Sequence, residues 1–169
     1  IMNVPTTYPA PEIEGFFVSG AGGGLYSVDG IPSEMCDSES TRKVLADLDY
    51  EIELRFKPSG IQNVEEFFKR TNSMMQKRFA AFKQLCENGG TEFGFLALRG
   101  TANLLYVIMS EVQRVIESGD FTSSWGRHID THFSLLDSLT KDLFETLKPK
   151  EFIVTSDHGL VPQKYHANY

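Results

Sequence analysis

The chain has 169 residues, 41% hydrophobic and 23% charged, which is enough for one domain with a sizeable core. Its 16 basic and 23 acidic residues leave a net charge of −7, which repels phosphate backbones and anionic membranes and argues against nucleic acid binding. No run reaches membrane-spanning length, no secretory leader is visible, and Cys36 and Cys86 are too few for a disulfide scaffold, so reduced thiols in a cytoplasmic protein are the default expectation.

Ile1–Val4 reads as a short apolar strand. Pro5, Pro9 and Pro11 make the next stretch an extended linker, because proline removes donors and biases its neighbours away from helix. Phe16-Phe17-Val18 reads as a second buried strand, followed by Gly20-Ala21-Gly22-Gly23-Gly24. A glycine-rich loop after a strand can cradle a phosphate with backbone N–H groups. Position 25 is Leu, however, where the dinucleotide fingerprint needs its third glycine, and a flexible connection is preferred over a phosphate nest. Residues 26–40 are polar and turn-rich, and a short helix is expected over Thr41–Asp47. From Tyr50 to Phe56, apolar residues alternate with Glu51, Glu53 and Arg55, which predicts a half-solvated strand ended by Lys57-Pro58-Ser59-Gly60.

Asn63 is placed as a helix N-cap, with Glu66 at capping-box spacing. Val64, Phe67, Phe68, Met75, Phe79, Phe82 and Cys86 then recur with helical spacing until Asn88-Gly89-Gly90 stops the helix. Lys69, Arg70, Lys77, Arg78 and Lys83 lie between them and read as a solvated face. Phe93–Leu98 is apolar on both faces, as a central parallel strand should be. Thr101 is placed to cap a helix through Ile116. Another helix is expected from Thr122 to Leu147, with Trp125, Ile129, Phe133, Leu136, Leu143 and Leu147 in register, and Pro149 marks its end. Phe152–Thr155 is the next expected strand. Strand, helices, strand in this order predicts a right-handed crossover and an α/β fold whose partly parallel central sheet is flanked by helices.

The densest chemistry is in Thr155-Ser156-Asp157-His158-Gly159. A carboxylate and an imidazole side by side at the carboxyl end of a strand can turn toward one borderline divalent ion. Gly159 lets the backbone turn past it. This segment resembles the metal-binding signature of the alkaline phosphatase superfamily, most closely its type I phosphodiesterase and nucleotide pyrophosphatase branch. The segment Asn3-Val4-Pro5-Thr6-Thr7-Tyr8-Pro9-Ala10-Pro11, with Gly15 and Val18-Ser19-Gly20, is similar to a mid-chain segment of such proteins, and the tail from His158 to Asn168 is similar to the stretch after their Asp-His pair. Residues 25–92 carry no matching motif.

The resemblance implies an alkaline-phosphatase-like α/β fold, incomplete here, and a metal-dependent phosphoric ester hydrolase acting on a small phosphate ester. Such enzymes use two divalent ions, commonly zinc, with manganese or magnesium as alternatives, to clamp the attacking and leaving oxygens. Asp157 and His158 would ligate the ion nearest a Thr or Ser nucleophile, with Ser156 and Gly159 supporting the turn. The nucleophile, a first Asp ligand and a last His ligand would lie outside residues 1–169, so no catalytic residue is assigned. Ile1 begins within an expected strand and Tyr169 ends without a helix stop, which suggests an internal piece of a longer protein. The family's further Asp and His, four residues apart, should come after the strand at 93–98. Leu98-Arg99-Gly100-Thr101-Ala102-Asn103 stands there instead, and residues 88–119 hold neither Asp nor His.

His128 and His132 are four apart and would share a helix face, which can bind a metal. They lie beside an apolar stripe, Asp130 would project away from both, and flank histidines are preferred over a metal site. His166 is assigned no role. Two functions remain open at this point. One is a hydrolase fragment inactive by itself; the other is a non-catalytic binding or structural protein with a degenerate metal site.

Overall fold

The computed structural model describes residues 1–22, 30–53, 61 and 63–162. Its elements in chain order are β1 (Met2–Val4), β2 (Val18–Ser19), a short 3-10 turn (Ser33–Met35), α1 (Glu39–Asp47), α2 (Val64–Gly89), α3 (Arg99–Ser118) and α4 (Ser124–Leu147). Among the described residues, helices therefore dominate, and the one sheet has two strands, β1 and β2, paired in parallel. This overturns the expected α/β fold with a substantial central sheet.

The difference has a local cause. Strands exist only where a neighbour takes their backbone groups. Leu96 forms a single parallel bridge to Met2, with Met2 N–H donating to Phe95 O at 2.8 Å and Ala97 N–H donating to Met2 O at 3.0 Å. Residues 93–98 thus run parallel to β1, but Phe93 is 69% exposed rather than enclosed on both faces. Phe152–Thr155 forms no strand, and Ile153 and Val154 are about four-fifths exposed. The expected parallel neighbour of 93–98 is β1, not 152–155. Tyr50 and Ile52 are buried and Glu51 and Glu53 half-buried, so the alternation is real, yet residues 50–53 form no strand either. The remainder of that expected strand and its terminating turn lie outside the described residues.

Two details hold the small sheet together. Asn3 adopts φ 64° at an irregularity in β1, a left-handed conformation that Asn tolerates better than most residues. Its buried side chain donates to Ala97 O at 2.7 Å, tying β1 to the 93–98 segment. Gly20 N–H donates to Val4 O at 2.9 Å, and a Cβ on Gly20 would lie 2.3 Å from that oxygen. Only glycine fits there.

The helices match their sequence signals closely. The Asn63 side chain accepts from Glu66 N–H at 3.1 Å, and Gly90 closes α2 in the left-handed conformation at φ 57°. Asp120 accepts from the Thr122 hydroxyl and from the N–H groups of Thr122 and Ser123, which lowers its pKa, and Ser123 Oγ caps α4 through Gly126 N–H at 3.1 Å. Lys148 and Pro149 come directly after the last turn of α4. By contrast the cap position of α3 is Leu98, which makes no side-chain cap bond, rather than Thr101.

Packing centres on α2, which meets α4 most extensively and also touches α1 and α3. One apolar cluster joins β1, β2, α1 and the C-terminal half of α2 around Met2, Phe16, Met35, Leu45, Phe79 and Phe82. A second joins the start of α2 to α3 and α4 through Phe67, Phe68, Leu104, Ile108, Val115 and Ile129. Cys36 and Cys86 are free and buried in the first cluster, and burial pushes the Cys36 thiol up to about 12, so both are packing residues. Two sequence expectations fail on the helix faces. Phe133 is 38% exposed and His132, one residue earlier, is buried in its place. Arg78 is buried rather than solvated, and its Nη2 donates to Ile52 O at 2.6 Å. No described helix is long and apolar enough to cross a membrane.

Candidate functional site

Asp157 and His158 lie on the segment after α4, both exposed and with no strand leading into them. Local bonds fix their side chains. Asp157 Oδ1 accepts from His158 N–H at 2.9 Å. His158 Nδ1 lies 2.9 Å from Gly159 O. A carbonyl oxygen only accepts, so this contact places the ring proton on Nδ1 and leaves a lone pair on Nε2. Ser156 Oγ donates to His158 O at 2.8 Å and closes the turn.

Asp157 Oδ2 and His158 Nε2 stand 3.4 Å apart, within ion-pair reach of each other when the ring is protonated. Ligand atoms about 2.0–2.1 Å from a tetrahedral ion lie roughly 3.3 Å from each other. The pair therefore has the bite of two adjacent ligands, with a second-layer bond from Nδ1 to a carbonyl of the kind that orients metal-binding histidines. Among the described residues no His, Cys, Asp or Glu joins them, and nowhere do three such groups cluster.

The other candidates separate. His128 stacks on Phe68, with ring centroids 5.3 Å apart and planes at 12°, while His132 is turned inward with Nδ1 2.6 Å from Asn72 Oδ1. The two histidines do not converge on a point, and Asp130 is exposed. Gly23 and Gly24 of the glycine run, and His166, lie outside the described residues. The family-like place for a second Asp and His, at 98–103, is the uncapped start of α3.

Sequence reasoning missed the groups buried beside that start. Arg78, Thr71, Gly100, Thr101 and His132 line a partly open gap with room for about one water. Arg78 Nε, His132 Nε2 and the Tyr50 hydroxyl are buried without a well-formed hydrogen bond among the described residues, and the Tyr50 hydroxyl lies beside the Arg78 guanidinium. Burial pushes His132 down to about 4. The sequence signal was present in the pattern Thr71, Met74, Met75, Arg78, an arginine in step with buried positions of α2, but charge alone assigned it to solvent.

No protein-family model, no curated protein and no solved structure matches this chain.

Proposed function

We propose that this chain carries part of a divalent-metal site of a metal-dependent phosphoric ester hydrolase, with Asp157 and His158 as two adjacent ligands. The observation that supports it is the 3.4 Å separation of a carboxylate oxygen and an imidazole nitrogen on two exposed, adjacent side chains held by their own backbone turn. Zinc fits a carboxylate and an imidazole best, and manganese or magnesium are the harder alternatives. When bound, such an ion supplies Lewis-acid polarisation of a phosphoryl oxygen. The residues of this chain contribute orientation: Gly159 O fixes the imidazole tautomer, and His158 N–H holds one carboxylate oxygen while the other lies beside His158 Nε2.

A second function is favoured by one observation. The start of α3 presents Arg99, Gly100 and Thr101 where the resembled family has acidic and histidine ligands. A non-catalytic binding or structural role, with one metal position lost, accounts for that.

Two protein ligands fall short of the three or four of ordinary zinc sites, so zinc should bind this chain weakly. The test is a zinc titration read by the ring nitrogens of His158, with an assay on an activated phosphate diester alongside. Expected are a saturable shift of Nε2, its loss in Asp157→Ala, and no turnover. A His158 signal indifferent to zinc would end the metal-site proposal. Turnover by these 169 residues alone would instead require a nucleophile inside them.

A further inference from the structure

We propose that the Phe152–Ile153 peptide bond is a processing site for an endopeptidase with an aromatic-selective pocket of the chymotrypsin type. Such a peptidase takes its substrate as an extended strand laid along its own edge, so the bond it cuts must lie in chain whose N–H and C=O groups are free. From Pro149 to Asp157 no backbone N–H or C=O makes a hydrogen bond among the described residues. The last backbone bond before this stretch runs from Lys148 N–H to Phe144 O at 3.0 Å, and Pro149 keeps α4 from continuing.

The stretch places Phe152 where a specificity pocket needs it. Residues 149–152 stand before the bond and 153–157 after it, and every residue from Lys150 to Asp157 is exposed. Ile153 and Val154 keep 81% and 78% of their surface in water. The Phe152 ring is half-wet and makes one ring contact, edge-on to Phe144 at 5.5 Å. Moving that ring into an apolar slot removes its remaining surface from water, which favours recognition.

Other exposed aromatic residues are held by their backbones. Phe93 is exposed, but Phe95 O accepts from Met2 N–H and Ala97 N–H donates to Met2 O, which ties the chain after it to β1. Phe121 N–H donates to Gly119 O, and the next two N–H groups donate to Asp120. Tyr106, Phe133 and Phe144 lie inside α3 and α4. A trypsin-type cut after Lys150 would require the end of α4 to open, because Lys148 is bonded and left-handed at φ 46°. In the proposed cut the Phe152–Ile153 C–N bond breaks. Water supplies hydroxide to the carbonyl carbon and a proton to the nitrogen, leaving a carboxylate on Phe152 and an amine on Ile153. Among the described residues no hydrogen bond or ion pair joins 153–162 to the rest of the chain. Cleavage therefore detaches Asp157 and His158 from the helical body; that this dismantles a metal site rests on the function proposed above.

The test is limited digestion of the 169-residue chain with α-chymotrypsin, read by intact mass, in buffer and in urea below the unfolding transition. The first products expected are 1–152 and 153–169, formed at a rate that urea does not raise, because no structure has to open. Cuts within the helices should come later and accelerate with urea. Phe152→Ser should lose the cut through its missing ring. Ile153→Pro should lose it with the ring and its Phe144 contact kept, so the two variants check each other if one folds poorly. The two products should separate on size exclusion. A first cut at any other bond, or a Phe152–Ile153 cut that needs urea, would overturn the site, and co-eluting products would overturn the detachment. The digestion contains no added metal, so its outcome and that of the zinc titration are independent.

Discussion

Phe68→Ala should lower the stability of the chain by roughly 3–5 kcal/mol, the usual range for truncating a buried Phe. Phe68 is 2% exposed near the start of α2. Its ring meets Trp125 edge-on at 6.2 Å, stacks on His128 at 5.3 Å and lies 6.1 Å from His132, so it fastens three successive turns of α4. It also belongs to the cluster that brings in Leu104 and Ile108 of α3. A cavity there is bounded by three helices, and none can collapse into it without leaving the other two. Against a typical total of about 5–15 kcal/mol, the loss is a large fraction. Urea unfolding measures it as a lower midpoint at unchanged slope. Phe133→Ala is the internal control. Phe133 is 38% exposed, and its removal should cost less than about 1 kcal/mol. Equal losses at the two positions would restore the register in which Phe133 faces the core.

That register shows how far the sequence was legible. Elements stabilised by their own neighbours could be read from it. The Asn63 cap, the α2 stripe and the glycine stop at Gly90 are local signals, and each lies where expected. The same holds for the short strand at Met2–Val4 and the helix expected over 41–47, which begins two residues earlier at Glu39. Around α4 the stripe is ambiguous because Phe133 and His132 are adjacent. Hydrophobicity chooses Phe, whereas the Asn72 amide on α2 is what makes a buried His acceptable.

The sheet was less legible, because a strand depends on a partner that its own sequence does not encode. Phe152–Thr155 and Phe93–Leu98 are equally apolar on paper, yet only the second meets a neighbour, at Leu96. Of the candidate site, the Asp157–His158 adjacency was visible as sequence, while the bond from Nδ1 to Gly159 O that frees Nε2 was not. Arg78 was hidden for another reason. Its burial rests on Ile52 O and on the start of α3, both distant in sequence, and Gly100 is what lets that start come close.

Acid should weaken the fold through His132. The side chain is fully buried, and burial holds its pKa at about 4, below the ordinary 6.5. Its surroundings offer no relief for a positive charge: Asn72 is neutral, Phe68 and Phe133 present rings, and Arg78 across the gap is itself cationic. The folded chain therefore keeps the imidazole neutral while the unfolded chain protonates it. The contribution is whole above the unfolded pKa, declines as the pH falls below about 6.5, and its loss is complete only below about 4. Between about pH 8 and pH 5 this amounts to about 2 kcal/mol. Other groups titrate over the same range, so the useful quantity is a difference. His132→Gln keeps an amide for Asn72 and cannot titrate. Denaturant midpoints for both proteins at the two pH values should show the parent losing about 2 kcal/mol more than the variant. Equal losses in parent and variant would mean that His132 is protonated as readily inside the fold as outside it, and would overturn the assignment of the acid sensitivity to this buried ring between α2 and α4.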